Sequence, residues 1–167
     1  ALAQPFEADI NAFRKAVQEA DNILYIADNA GEIVFDTLLI EQLPSERVTC
    51  AVKGSPIIND ATREDADEAR ITDVVDVIDN GSDAPGTILE LCSDTFRRAF
   101  READLVIAKG QGNFETLSET SKDIFFALKI KCRVISEHVG APVGTMVFRR
   151  SGIGDSAQRG MPSIAAD

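Results

Sequence analysis

This sequence holds little with which to do histidine or cysteine chemistry. Its 167 residues include one histidine, His138, and three cysteines, Cys50, Cys92 and Cys132. A single histidine late in the chain gives no convincing Ser-His-acid or Cys-His set; it reads as a structural residue. The cysteines are odd in number and widely spaced, with neither a disulfide framework nor a zinc pattern. They read as reduced core residues of a cytoplasmic protein. Positive charge is also scarce: 17 Lys and Arg stand against 28 Asp and Glu, a formal net charge of -11. That leaves no basic stripe for the phosphate backbone of a nucleic acid and no attraction to an anionic membrane. No apolar run approaches the length of a membrane span, and no signal-peptide pattern is visible. No Gly-x-Gly-x-x-Gly follows the first strand and no P-loop sequence occurs, so a dinucleotide site is unsupported. Internal repeats and low-complexity blocks are missing too.

What is present is the ordinary material of one globular domain, with 44% hydrophobic and 27% charged residues. Residues 6–20 read as an amphipathic helix with Phe6, Ile10, Phe13 and Val17 on one face. Ile23–Ala27 has the length and composition of a buried strand, and Ile33–Leu43 that of a helix. Arg47–Val52 is the second strand. A polar helix over residues 59–70 follows, with Asn59 or Asp60 as its cap. Val74–Ile78 is the third strand, and Leu89, Cys92, Phe96 and Phe100 share a helical face. Asp104–Ala108 is the fourth strand. A short polar segment leads to the run Ile124–Leu128, and Cys132–Ser136 reads as strand five. Val139–Val147 has room for a short strand or a turn. The expected domain is residues 1–149, with 150–167 a loosely held tail. The chain begins without Met and runs straight into a helix, as a piece of something longer would.

Alternating strands and helices imply an α/β fold with a mostly parallel sheet. Right-handed crossovers then bring every strand's C-terminal end to one edge. Four of those ends carry polar, Gly-bearing loops: Asp28-Asn29-Ala30-Gly31-Glu32, Lys53-Gly54, Gly81-Ser82 and Lys109-Gly110-Gln111-Gly112. Ligands bind in that crevice in open α/β sheets. Asp28 and Asn29 offer adjacent hard oxygens, although either could simply cap the next helix. Carboxylate and amide oxygens suit Mg²⁺ or Mn²⁺. Lysines and backbone N–H groups of Gly-rich turns suit phosphate. Together they read as phosphoryl chemistry.

Four motifs occur in order: Asp28-Asn-Ala-Gly-Glu32, Lys53-Gly-Ser-Pro-Ile-Ile-Asn-Asp60-Ala-Thr, Gly81-Ser-Asp-Ala-Pro-Gly-Thr87 and Lys109-Gly-Gln-Gly-Asn-Phe-Glu115. Over residues 23–147 the chain resembles the metal-dependent damage-control phosphatases, also known as domain of unknown function 89. The last motif is similar to the archaeal and bacterial branch. The resemblance implies a three-layer α/β/α sandwich with a Rossmann-like sheet. It implies one divalent cation, Mg²⁺ or Mn²⁺ with Co²⁺ or Ni²⁺ as substitutes, on Asp28, Asn29 and Asp65. It implies hydrolysis of phosphate monoesters of small metabolites, including sugar phosphates and damaged or excess phosphometabolites. Family members usually carry a helical domain before the α/β domain; here at most one helix precedes the first strand, which makes such a domain an expected partner.

Within this reading Asp28, Glu32 and Lys109 are the catalytic candidates. The nucleophile is a metal-activated water or a carboxylate, with Glu32 and Asp28 as candidates. Phosphate binding falls to Lys53, Gly81, Ser82, Lys109, Gly110, Gly112 and Asn113. One competing reading is an S-adenosylmethionine-dependent carboxyl methyltransferase, which needs neither a cation nor a lysine pair. Another is a non-catalytic metal- or ligand-binding fragment of a larger protein.

Overall fold

A computed structural model describes residues 6–151. The chain alternates strand and helix: β1 (Phe6–Ala8), α1 (Ile10–Glu19), β2 (Ile23–Ile26), α2 (Ile33–Ile40), β3 (Val48–Val52), α3 (Arg63–Glu68), β4 (Asp76–Asp79), α4 (Asp94–Glu102), β5 (Leu105–Lys109), α5 (Gln111–Leu117), β6 (Ile124–Lys129), α6 (Arg133–Val139) and β7 (Met146–Ser151). The strands form one seven-stranded sheet in the order β1-β7-β6-β5-β2-β3-β4. Every pairing is parallel except β6 with β7. The expected α/β architecture with a mostly parallel sheet is therefore the observed one.

Both faces of the sheet are covered, as a parallel sheet requires. One apolar cluster joins Tyr25 and Cys50 of the sheet to Phe13 of α1, Ile33 and Ile40 of α2 and Ala66 of α3. The other joins Leu24 and Val106 to Phe96 and Phe100 of α4, Phe114 of α5 and Ile135 of α6. Successive strand residues point to opposite faces, so Leu24 and Tyr25 enter different cores. The central strand β2 is buried at all four positions. Each large side chain buried in this way stabilises the fold by about 1.5–3 kcal/mol before entropy.

The chain leaves β2 outward through β3 and β4, then returns to the other side of β2 as β5. The helices change face at that return. Ile26 pairs with both Ala51 and Ala108. The C-terminal ends of β2, β3 and β5 therefore meet at the topological switch point, where the two following loops diverge and leave a crevice.

Several expected boundaries shift. The helix expected over residues 6–20 begins at Ile10, because Asp9 caps it by accepting from Ala12 N at 3.2 Å. Phe6–Ala8 instead adds an edge strand beside Met146–Phe148. The helix expected over 59–70 is confined to Arg63–Glu68, with Thr62 as cap. Ser93 caps α4 as the sequence suggests, accepting from Phe96 N.

The fifth strand is not Cys132–Ser136 but Ile124–Lys129, which pairs with β5. Cys132 is the N-cap of α6, and Gly140 ends that helix in the left-handed conformation. Ile135 and Val139, four apart, are its buried face, while β-branched Val134 is exposed. Burial on one helical face overrides the strand preference of Val134 and Ile135. Arg150 and Ser151, expected in the tail, belong to β7, and Arg150 pairs with Asp123. The expected loose tail beyond them lies outside the described residues.

Candidate functional site

Two loops close the switch point by backbone contact. Register carries Asp28 and Gly110 two residues beyond the paired Ile26 and Ala108. Gly110 has φ +83°, and a Cβ there would come 2.5 Å from Asp28 Oδ1 and closer still to Oδ2. Only glycine fits both that conformation and that contact. From the β3 side, the loop 57–61 is laid against the loop after β2. Ala30 N donates to Asn59 O at 2.8 Å, and Ala61 N to Asp28 O at 2.7 Å. Asn59 Nδ2 donates to Asn29 Oδ1 at 2.8 Å, and Asn29 and Asp60 form an isolated β-bridge. Ile58 takes a left-handed φ of 49° with its side chain 81% exposed. A β-branched residue held there is strained, and such strain collects at functional sites.

This bridge brings Asp60 to Asp28. The Asp28 carboxyl is raised to about 6, first by burial, then by the charges of Asp60 and Glu32; Lys131 and Lys109 pull it the other way. Asp65, implied by the resemblance as the second charged ligand, is engaged elsewhere. Its Oδ2 accepts from Thr62 N and Thr62 Oγ1, both at 2.7 Å, and closes the capping box of α3. Asp60, expected as a cap of this helix, lies in the loop before it.

The lysines divide into two kinds. Lys109, at the end of β5, bonds to Asp36 Oδ1 at 2.6 Å and Glu32 Oε2 at 3.1 Å. Burial works against its charge, but Asp36 and Glu32 outweigh that and hold its pKa above the ordinary lysine value. Lys131 follows β6 at the same sheet edge, exposed, with its backbone N–H held by Gln111 Oε1 at 2.9 Å. The sequence reading missed it because β6 was not recognised as a strand. Placed correctly, Ile124–Lys129 would have put Lys131 on the crevice edge.

Lys53, expected to bind phosphate, is 7% exposed and has other work. Its Nζ donates to Ala84 O at 2.7 Å and to Gly86 O, and lies 3.4 Å from Asp60 Oδ2. An ammonium has three N–H donors, and these three partners account for them.

Most of the other expected phosphate donors are likewise committed. Gly81 N donates to Asp79 Oδ1 and Ser82 N to Asn80 Oδ1, each at 3.0 Å. Ser82 is buried and its Oγ accepts from Ala84 N. Gly110 N donates to Ala127 O. Gly54 and Gly112 serve close approach: a Cβ on Gly54 would sit 2.6 Å from Gly81 Cα, and one on Gly86 2.5 Å from Gly112 O. Asn113 is 3% exposed. Its Nδ2 donates to Ala27 O at 3.1 Å and Lys109 O at 2.7 Å, and its Oδ1 accepts from Thr87 Oγ1 at 2.7 Å. It ties three loops together from beneath. His138, outside the crevice, stands edge-on to the Phe114 ring at 5.3 Å.

A cavity of about 450 Å³ opens beside Asp28, Glu32, Lys109, Gly110 and Lys131, with Phe6, Met146 and Phe148 on its far wall. That volume is ample for a small metabolite. Among the described residues no three His, Cys, Asp or Glu side chains gather as a metal cluster. A cation at this place would rest on two carboxylates and the Asn29 amide oxygen. The hard-oxygen set and the crowding of negative charge around Asp28 both suit a divalent ion.

Comparison with known proteins identifies the family of the chain. Residues 2–147 match the family model described as the damage-control phosphatase ARMT1-like domain. An uncharacterized protein of Methanocaldococcus jannaschii is 49% identical over 132 residues, 75% of this chain and 43% of that one. A protein of Pyrococcus horikoshii named damage-control phosphatase is 47% identical over 139 residues, 81% of this chain and 48% of that one. A crystal structure of a DUF89 family protein from Pyrococcus horikoshii superposes with a TM-score of 0.83 at 43% identity, covering 90% of this chain and 54% of that one. The chain spans a little under half the length of these curated relatives. With the family model matched over most of its length, the chain belongs to the damage-control phosphatase ARMT1-like domain family.

Proposed function

We propose that this chain carries the catalytic crevice of a metal-dependent phosphatase acting on phosphate monoesters of small metabolites, sugar phosphates or damaged phosphometabolites among them. One observation carries the reading: a half-buried carboxyl, Asp28, is set beside Asp60 and Asn29 at the switch point, with Lys109 and Lys131 on the opposite side. Asp28, Asn29 and Asp60 would hold Mg²⁺ or Mn²⁺, with Co²⁺ or Ni²⁺ as substitutes; Asp60 replaces Asp65 in this role because Asp65 caps α3. Such a cation, when bound, offsets charge on a phosphate and lowers the pKa of a water. Lys109 and Lys131 bind phosphate oxygens and stabilise the charge that develops there. Glu32, half exposed beside Lys109, is placed to accept the proton of an attacking water. Gly110 keeps the floor of the crevice open to the substrate. The three free cysteines suit a cytoplasmic setting.

The relatives named damage-control phosphatase support this reading at about half their length. A helical companion domain fits the exposed apolar face of α2, where Val34, Phe35 and Leu38 are 57%, 71% and 65% exposed. That leaves a second reading open to test: this chain binds metal without turnover until the companion is present. Nothing at the crevice favours a methyltransferase.

Phosphate release is measured across a panel of small monoesters with each divalent metal, with and without chelator. Release that depends on metal and is lost in Asp28→Asn supports the proposal. Metal binding with no release on any monoester supports the second reading.

A further inference from the structure

Beneath the crevice lies a buried carboxylate that the proposed chemistry does not use. Asp36, on the inner face of α2, is 5% exposed. Its Oδ1 accepts from Lys109 Nζ at 2.6 Å, and its Oδ2 is buried with no hydrogen-bond partner. Behind it stands Tyr25 of β2, fully buried, whose hydroxyl also has no partner within bonding geometry. The two groups nonetheless interact: after burial, the charge of Asp36 and then a hydrogen-bonding contribution from its carboxylate raise the Tyr25 hydroxyl pKa. Tyr25, Asp36, Lys109 and Glu32 thus run as a line from the core to the crevice mouth.

A buried ion pair is poor evidence of a stability device, because well-packed apolar residues of the same size serve as well or better. The pair's other member, however, lines the cavity beside Asp28. Lys109 has three N–H donors; Asp36 and Glu32 take two, and one remains. Lysine is a compact charge on a flexible stem, and free rotation would blur where that donor points. Asp36, shorter in its bond and screened from water, is the firmer of the two holders; Glu32 is half exposed.

We propose that Asp36 is a positioning residue: its buried carboxylate fixes the Lys109 ammonium in the crevice wall so that one N–H stays directed at the substrate phosphate. The phosphate end of this rests on the phosphatase reading; the fixing of Lys109 does not. The Lys109 ammonium is followed by proton–nitrogen NMR, its signal assigned by loss in Lys109→Met. In the wild type the signal is expected at neutral pH, because a fixed, shielded ammonium exchanges slowly with water. It should vanish in Asp36→Asn and persist in Glu32→Gln. Inorganic phosphate affinity, by calorimetry, should fall about tenfold in Asp36→Asn and equally in Lys109→Met. The double variant should lose no more than either alone, a coupling that general loosening of the fold does not produce. A wild-type signal that is missing, or one untouched in Asp36→Asn, overturns the proposal, and the wild-type spectrum decides even if the variant fails to fold. If the NMR results hold while the wild type releases no phosphate from any monoester, the positioning of Lys109 stands and the reading of this chain as a phosphatase by itself falls.

Discussion

Gly110 lies directly against the carboxylate of Asp28, although the two belong to loops after neighbouring strands, 82 positions apart in sequence. A Cβ at Gly110 would overlap that carboxylate, and φ of +83° there suits glycine alone. Gly31, in the same Asp-Asn-Ala-Gly loop, has nothing within 4 Å of its would-be Cβ. Gly110→Ala should therefore displace Asp28, cost about 1–3 kcal/mol of stability, and abolish Mn²⁺ binding measured by paramagnetic resonance. Gly31→Ala should leave metal binding within twofold. Equal behaviour of the two variants would contradict the contact.

Asp60 and Asp65 provide a direct contrast. Asp60→Asn should weaken the divalent cation by well over tenfold in calorimetry, since the site loses one of two charged ligands. Asp65→Asn should leave the cation alone and lower stability by about 1 kcal/mol through the lost capping box. The reverse pattern would return the ligand role to Asp65.

The raised pKa of Asp28 has a defined stability signature without metal. In the folded chain the carboxyl titrates at about 6, against 3.8 for the ordinary carboxyl. Between those values the folded state binds more protons than the unfolded one, so stability falls as pH rises from about 4 through 6. The shift corresponds to about 3 kcal/mol at most; the site is part open to solvent, which reduces this to roughly 1–2 kcal/mol. In chelator, Asp28→Asn should be more stable than wild type at pH 7, and the difference should close near pH 4. Denaturant melts at both pH values measure it. A wild type that gains stability over this window would contradict the environment described for Asp28.

Lys53 and Lys131 should fail in different assays. Lys53→Ala strands Asp60 and the Ala84 and Gly86 carbonyls, and should cost about 3 kcal/mol in thermal unfolding. Lys131→Ala removes an exposed side chain and should leave the melting curve unchanged while raising KM several-fold. A destabilised Lys131→Ala, or a fully stable Lys53→Ala, would exchange their assignments.

The sequence by itself determined the architecture and which loops meet at one edge of the sheet. Buried runs such as Ile23–Ile26 and Leu105–Ala108 can only be strands of a two-sided core, and the helices between them force parallel pairing. The Asp28-Asn29 and Lys109-Gly110 loops were legible because each begins where such a run stops. The tertiary structure decided which polar groups remain available. Lys53, Ser82 and Asn113 have the chemistry of phosphate binders, yet each is buried: Lys53 and Asn113 are consumed by groups from loops distant in sequence, and Ser82 by Asn80 and Ala84 of its own turn. Glycines at 54, 81, 86 and 112 were visible as glycines, but the reason for them is backbone packed on backbone. Asp60 was hidden because local pattern made it a helix cap, whereas a bridge to Asn29 turns it toward Asp28. Strand six was obscured by β-branched Val134 and Ile135 just beyond it, whose helix is set by burial against the sheet. Periodicity reports local burial, which one segment carries in its own residues. The partner of a lysine or an amide is a long-range contact, and no single segment encodes it.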